Sequence, residues 1–218
     1  MISKILSLLK SVYVNIRLCS IKDAIKLPIL VKWNCRLISL KGRVVFVNGS
    51  SFGLLKIGFS SVGIIDPLFQ RSLLEINGLV KIGGGYFGSG SRICVMPSGI
   101  LEIGMRFQNS ANITIICEES VKIGDDVLTS WETLIMDTDF HQYVIIDNES
   151  KSVMKKPVVI GNHCWLGVRS VILKGSILAD GCIVAANTLI AGNYEEKFCI
   201  IGGRPGRIIK RGCEKVSE

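Results

Sequence analysis

The sequence predicts an all-β solenoid, a chain wound into flat-sided coils around a thin apolar core. Three observations carry that expectation. From Ile160 the chain divides into sixes: Ile160-Gly-Asn-His-Cys-Trp, Leu166-Gly-Val-Arg-Ser-Val, Ile172-Leu-Lys-Gly-Ser-Ile, Leu178-Ala-Asp-Gly-Cys-Ile and Val184-Ala-Ala-Asn-Thr-Leu, then Ile190. Each first position is aliphatic, each fifth is small (Cys164, Ser170, Ser176, Cys182, Thr188), and the second is Gly or Ala in every block except at Leu173. A helix repeats near 3.6 residues and a half-buried strand at 2, so a period of six belongs to neither and suits short faces separated by tight corners. The composition agrees, with 23 Gly and 48% hydrophobic residues but no unbroken run of 18 apolar residues that could span a membrane.

The N-terminal arm comes first. Ile2, Ile5, Leu6, Leu9, Val12, Tyr13 and Ile16 recur at helical spacing, with Ser3, Lys4, Ser7, Lys10, Ser11 and Arg17 on the other side. Two readings of this helix stand: packing of its apolar face on the protein or a neighbouring subunit, or an interfacial helix on anionic lipid. Residues 1–43 hold nine basic side chains against Asp23 alone, which is the whole net charge of +8. The basic pI therefore belongs to the arm, and no nucleic-acid motif accompanies it. Pro28 ends any helix, and from Leu37 to Val47 the pattern becomes strand-like before the Asn48-Gly49 turn. The division expected is an arm over 1–45, a solenoid over 46–192 and a basic C-terminal segment over 193–218.

Within the solenoid the six-residue pattern recurs at Ile123-Gly-Asp-Asp-Val-Leu, Thr129-Ser-Trp-Glu-Thr-Leu and Ile135, and loosely at Ile76, Ile82-Gly83, Ile100 and Ile103-Gly104. Residues 76–192, less one loop, would make about five coils, roughly 24 Å at sheet spacing. The loop spans 136–157: Asp137-Thr-Asp-Phe-His-Gln-Tyr and Asp147-Asn-Glu-Ser-Lys-Ser are too polar to line an apolar prism, so they leave the coil. His141 sits there with Asp137 and Asp139. A histidine beside a carboxylate can take a proton from an attacking hydroxyl and return it later.

The eight cysteines form no CxxC pair and no zinc spacing, which points to free, buried thiols in a reducing compartment. With Lys10 interrupting the apolar start and no cleavage site following, no secretory signal is expected. Only two histidines, His141 and His163, are present, so one chain cannot supply a three-histidine metal site, and no metal is expected. His163, beside a turn, reads as an exposed structural residue.

The stretch Ile123-Gly-Asp-Asp-Val-Leu-Thr-Ser-Trp131, the loop Asp137-Thr-Asp-Phe-His141 and the run from Pro157 to Gly167 resemble bacterial hexapeptide-repeat O-acetyltransferases of surface-polysaccharide biosynthesis. Galactoside and maltose acetyltransferases are more distant members. The resemblance covers about residues 70–212 and implies a left-handed parallel β-helix in which three hexapeptides close one triangular coil. Cys164 and Cys182, one such coil apart, should then stack. It also implies that His141 is the general base, that Asp137 or Asp139 orients it, and that Ser130 and Trp131 lie near the acceptor.

The same resemblance implies acetyl-CoA as donor, held along an outer groove between solenoids of a homotrimer. Trp165-Leu166-Gly167 is similar to the family's Trp-Ile-Gly, and Ala185-Ala186 to its small pair beside the pantetheine arm. The segment Gly202-Gly-Arg-Pro205-Gly-Arg-Ile-Ile-Lys210 is similar to its basic C-terminal run, with Arg207 and Lys210 as candidates for the CoA phosphates. Where relatives carry Thr-Lys after the last coil, this chain has Ala191-Gly192. The expected partner is a sugar or glycolipid-linked saccharide, acetylated on a hydroxyl by a cytoplasmic enzyme whose basic arm touches the inner face of the membrane. N-acetylation of an amino sugar and a non-catalytic trimeric scaffold are the alternatives.

Overall fold

The computed structural model describes residues 2–59, 62–147 and 149–216. Three sheets of nine, seven and seven strands form the faces of a left-handed parallel β-helix, and a two-stranded hairpin stands apart from them. Seven levels at ~4.8 Å spacing put roughly 29 Å between the first and last strand of a face. The first face runs from Ile29–Val31 through Leu55–Ile57, Gly85–Phe87, Phe107–Asn109, Leu128–Thr129, Trp165–Leu166 and Ile183–Val184 to Cys199–Gly202. Arg207–Arg211 then folds back antiparallel on its edge. Five of these strands lie within 76–192, matching the five coils expected there.

The register explains why the period is sharp only near the C-terminus. Trp165 pairs with Ile183 and Ile172 with Ile190, each partner lying three hexapeptides further along the chain, so three sixes close each turn. Upstream, Ile93 pairs with Ile115 and Leu101 with Val121, spacings that exceed three hexapeptides. Each face still alternates inward and outward, but extra corner residues shift the next aliphatic position off the hexad count. The inward residues (Ile123, Ile135, Ile160, Leu166, Ile172, Leu178, Val184 and Ile190 among them) are buried in one continuous core. Cys164 and Cys182 occupy successive coils as expected, and Cys199 continues the column, its sulfur 3.8 Å from that of Cys182. All eight cysteines are free.

One corner shows what the second-position glycine does. The Asp125 side chain accepts from Met105 N at 2.7 Å, Asn162 Oδ1 accepts from Asp125 N at 2.9 Å, and Asp180 Oδ1 accepts from Asn162 N at 2.8 Å. This ladder ties four coils together through their corner amides. A Cβ on Gly124 would lie 2.6 Å from Asn162 Oδ1, and one on Gly161 would lie 2.6 Å from Asp180 N. Neither glycine has a positive φ. They are needed for close stacking rather than for an unusual backbone.

The N-terminal helix packs on its own chain by the side opposite its apolar stripe, which leaves the neighbouring-subunit and lipid readings of that stripe standing. Helix α1 (Ile2–Leu18) buries Ser7, Ser11, Val14, Asn15 and Leu18 against the first strand, not the apolar stripe. Ser7 Oγ accepts from Trp33 N at 3.0 Å, Ser11 Oγ from Val31 N at 2.9 Å and Asn15 Oδ1 from Ile29 N at 3.1 Å. Four helical residues rise about 6 Å and two strand residues about 6.6 Å, so side chains spaced by four keep step with alternate amides of an extended strand. The helix thus takes the place of a missing strand and blunts an edge that would otherwise template aggregation. The solenoid accordingly begins at Ile29, inside the segment read as an arm, and ends at the Cys199–Gly202 strand. No helix among the described residues is long and apolar enough to cross a membrane.

Candidate functional site

On the first face, outward side chains form a ladder across neighbouring strands: Tyr86, Gln108, Leu128, Trp165, Ile183, Ile200 and Lys210. A groove of about 860 Å³ opens along its middle, lined by Tyr86, Arg106, Gln108, Ser110, Trp165 and Lys215 among others. Trp165 is 38% exposed, and its indole Nε1 donates to the buried Ser130 Oγ at 3.2 Å. Two of the sequence-selected residues are therefore in contact. The half-buried Trp131 follows at the corner, its carbonyl accepting from Arg169 N at 3.2 Å.

The small residues selected for the donor also come together. A Cβ on Gly167 would sit 2.7 Å from Val184 O and 2.8 Å from Ala186 N, so this glycine lets the coil lie flat on Ala185-Ala186. One level on, a Cβ at Gly202 would be 3.6 Å from the Ala185 methyl. Gly167, Ala185 and Gly202 form a lane of small residues over successive levels, bounded at Gly202 by the Ile209 side chain, whose Cδ1 lies 3.0 Å from that Cβ position, and Gly202 pairs with Arg207. Arg207 and Lys210 are exposed and, among the described residues, neither has an ion pair or side-chain hydrogen bond. The sequence picked out Trp165, Gly167, Ala185, Ala186, Arg207 and Lys210 separately; Trp165, Arg207 and Lys210 stand on strands of this face, and Gly167, Ala185 and Ala186 directly follow its strands.

The groove wall carries residues the sequence did not suggest. Asp126 is held below the usual carboxylate range, first by its hydrogen bond from Arg106. Arg106 Nε donates to it at 2.5 Å, and His163 Nδ1 lies 3.5 Å away. His163 sits at a corner with φ 57° and is exposed. Tyr86, Arg106 and Gln108 went unnoticed because they lie on longer coils, where the six-residue count gives no outward position.

The extruded segment is a hairpin rather than an irregular loop. Lys156 N donates to Asp137 O at 3.0 Å, Asp139 N to Met154 O at 2.9 Å and Ser152 N to Tyr143 O at 2.8 Å, leading to the antiparallel pair Val144–Ile145 and Ser150–Lys151. Its root is fixed by Asp137, fully buried, whose carboxylate accepts from Glu118 N and Glu119 N at 2.8 Å and Ser120 N at 2.7 Å. Asp139 bonds the Lys174 ammonium, which also donates to Val153 O at 2.6 Å. His141 is exposed on the first arm of the hairpin. The structure joins neither Asp137 nor Asp139 to it: one holds the hairpin root and the other pins its flank.

The hairpin leaves between Leu134–Met136 on the second face and Val158–Ile160 on the third. In a three-sided prism that corner is opposite the first face. Within one chain, His141 and the Trp165 groove therefore stand on different sides of the solenoid, and no hydrogen bond among the described residues connects them. No cluster of three or more potential metal ligands occurs among the described residues.

Comparison with known proteins agrees with this architecture. Residues 157–192 match the model of the bacterial transferase hexapeptide (six repeats) family. The chain is 28% identical over 144 residues to a protein of Escherichia coli assigned as the lipopolysaccharide biosynthesis O-acetyl transferase WbbJ, covering 62% of this chain and 73% of that one. It is 24% identical to the polysialic acid O-acetyltransferase of Neisseria meningitidis, over 74% of this chain and 66% of the other. Among solved structures, a mutant of the N-acyltransferase AntD from Bacillus cereus, in complex with dTDP and coenzyme A, superposes with a TM-score of 0.51 at 18% identity. It covers 84% of this chain and 80% of that one, a likeness of fold.

Proposed function

We propose that this chain, a hexapeptide-repeat acyltransferase, moves an acetyl group from acetyl-CoA to a sugar hydroxyl in bacterial surface-polysaccharide synthesis. The observation that carries the reading is the convergence on one face of an exposed indole, a lane of small residues and two uncommitted cations. That combination suits a long, flat donor with phosphates at one end. The Gly167–Ala185–Gly202 lane would take the narrow pantetheine arm, and Arg207 or Lys210 would meet phosphate charge.

The acceptor hydroxyl attacks the thioester carbonyl as His141 takes its proton; the C–S bond breaks and the departing thiolate receives that proton. No covalent acyl-enzyme is required. Since His141 and the groove stand on different sides of one solenoid, the base serves the groove of a neighbouring copy, as in a trimer of parallel solenoids. Ser130 fixes the Trp165 indole at the groove, and Trp131 at the adjoining corner would meet the acceptor. Asp137 and Asp139 act through the hairpin that presents His141.

The test is acetyl transfer by the full chain, with acetyl-CoA and cell-surface glycan as acceptor. His141→Ala is expected to lose about 10²–10⁴-fold in turnover while its melting temperature is kept. Undiminished turnover would refute the base assignment. Hydroxylamine lability of the product distinguishes an ester from the amide that an amino-sugar acceptor would give.

A further inference from the structure

The packing of α1 by its polar side leaves an unusual surface. Ile2, Ile5, Leu6, Leu9, Tyr13 and Ile16 fall within about a third of the helix circumference, directly opposite Ser7, Ser11 and Leu18. All six are exposed, Leu9 at 61%, Ile16 at 67% and Ile2 at 74%. The stripe continues past the helix end. Val12, Ile16, Cys19, Ile21, Ala24 and Ile25 line an apolar groove of about 360 Å³, where Ile21 and Ile25 are each about four-fifths exposed. A soluble monomer rarely presents so continuous an apolar strip.

The charge around the strip selects its occupant. Lys4, Lys22, Lys26, Arg36, Lys41 and Arg43 are exposed, and no ion pair or side-chain hydrogen bond engages them among the described residues. Lys10 and Arg17, at one border of the strip, reach carbonyls of the first coil, at Trp33, Cys35 and Leu40. The whole net charge of +8 thus resides in residues 1–43, the helix and first coil that carry the apolar face. A second copy apposed there would bring a like charge of the same size against it, whereas an anionic lipid surface supplies the complement. The helix is too short to span and lies across the end of the solenoid, the orientation an interfacial helix takes.

We propose that the outward face of α1, with the Ile21–Ile25 turn, is a docking surface for an anionic lipid bilayer, which seats the N-terminal end of the solenoid on the membrane. Ser7, Ser11 and Asn15 are the structural reason the surface is available. Because they hold the helix by its polar side, the apolar side needs no rearrangement to reach lipid.

The experiment is sedimentation of the full-length protein with vesicles of phosphatidylcholine alone or mixed with phosphatidylglycerol, at low and high salt. Its partner is sedimentation velocity without lipid. Binding to the anionic vesicles, weakened by salt, is expected. The double substitution Leu9→Glu with Ile16→Glu should lower the partition at least about tenfold. Lys22→Ser with Lys26→Ser should weaken only the anionic component. Both pairs replace exposed side chains, so melting and acetyl transfer to a soluble acceptor should stay as in the parent, which separates this proposal from the assignment of activity. Absence of binding to anionic vesicles, or binding indifferent to the Leu9 and Ile16 substitutions, would overturn it. So would a lipid-free assembly that those substitutions reduce in size, which would assign the face to a second copy.

Discussion

Asp137 offers the sharpest test of how the hairpin works. Sequence proximity made it a candidate to orient His141, but its carboxylate is fully buried on three successive backbone amides, at 2.7–2.8 Å. Asp137→Asn keeps the size and replaces one accepting oxygen by an amide that can only donate, so at least one and as many as two of the three N–H groups lose their acceptor. Hydrogen bonds to a charged group contribute about 1.5–3 kcal/mol each, which sets the cost at about 2–5 kcal/mol. For a chain of 218 residues, about 2–4 °C per kcal/mol puts the fall in melting temperature on the order of 10 °C. Thermal unfolding measures it, and limited proteolysis reports on the hairpin root. The expected outcome is a lower melting temperature, faster cleavage within 138–156, and lower turnover with an unmoved pH–rate profile. A variant that melts and resists protease like the parent, yet loses turnover with a displaced pH–rate profile, would show that Asp137 acts on His141 directly and refute the reasoning.

Two further outcomes follow from the stacking. Gly161→Ala puts a methyl 2.6 Å from Asp180 N and 2.7 Å from Ala179 C, and forcing two coils apart costs about 1–3 kcal/mol in a urea melt; Gly192→Ala, with nothing within 4 Å, is expected to be neutral or slightly stabilising. If the two variants melt alike, close coil contact is not what the second-position glycine serves. The division of the site between copies is tested by mixing two inactive variants, His141→Ala and the lane-blocking Ala185→Trp, after denaturation and joint refolding. Random trimers of an equal mixture should recover about a quarter of parental activity when base and groove come from different copies, and none when both belong to one chain.

The fold was legible where the chain is most regular. From Ile160 to Ile190 every turn takes three hexapeptides, so inward positions recur on a fixed count, and the aliphatic and small columns can be read directly. Between Leu74 and Ile123 the inside-outside alternation on each strand is just as strict, but turns that overrun three hexapeptides by unequal amounts scatter the count among corners. The arm illustrates a different limit. Its helical period is plain in the sequence, yet which side docks is decided by Ser7, Ser11 and Asn15 meeting the free amides of a strand that begins at Ile29. A hydrophobic stripe says that something apolar will cover it, not that the covering lies in the same molecule. In the site, Trp165, Gly167 and Ala185 were accessible through motif likeness, whereas Lys174 and Arg106 matter through partners far off in the chain, Asp139 and Asp126, and carry no local signal.

The proposed division of the site between copies would have a physical reason in the solenoid itself. The interior of this solenoid is packed with apolar side chains and, towards its N-terminal end, holds a cavity of only about 30 Å³, far too small for a donor or an acceptor, so the reaction belongs on the outer walls, where a single flat face cannot enclose both together. Among the described residues the extruded hairpin projects from the walls, and it leaves at the corner away from the groove face. Solenoids aligned side by side would set the hairpin of one over the groove of the next and shield the space between them from water. The investment of this chain in a rigid hairpin root makes sense on that basis. Asp137 on three amides, Thr138 and Lys155 on Glu118, and Lys174 on Asp139 all stiffen the base of a projection whose tip makes few contacts with its own chain. A loop meant only to close over its own wall would gain from flexibility, whereas one that must present His141 to another molecule needs its direction fixed before assembly.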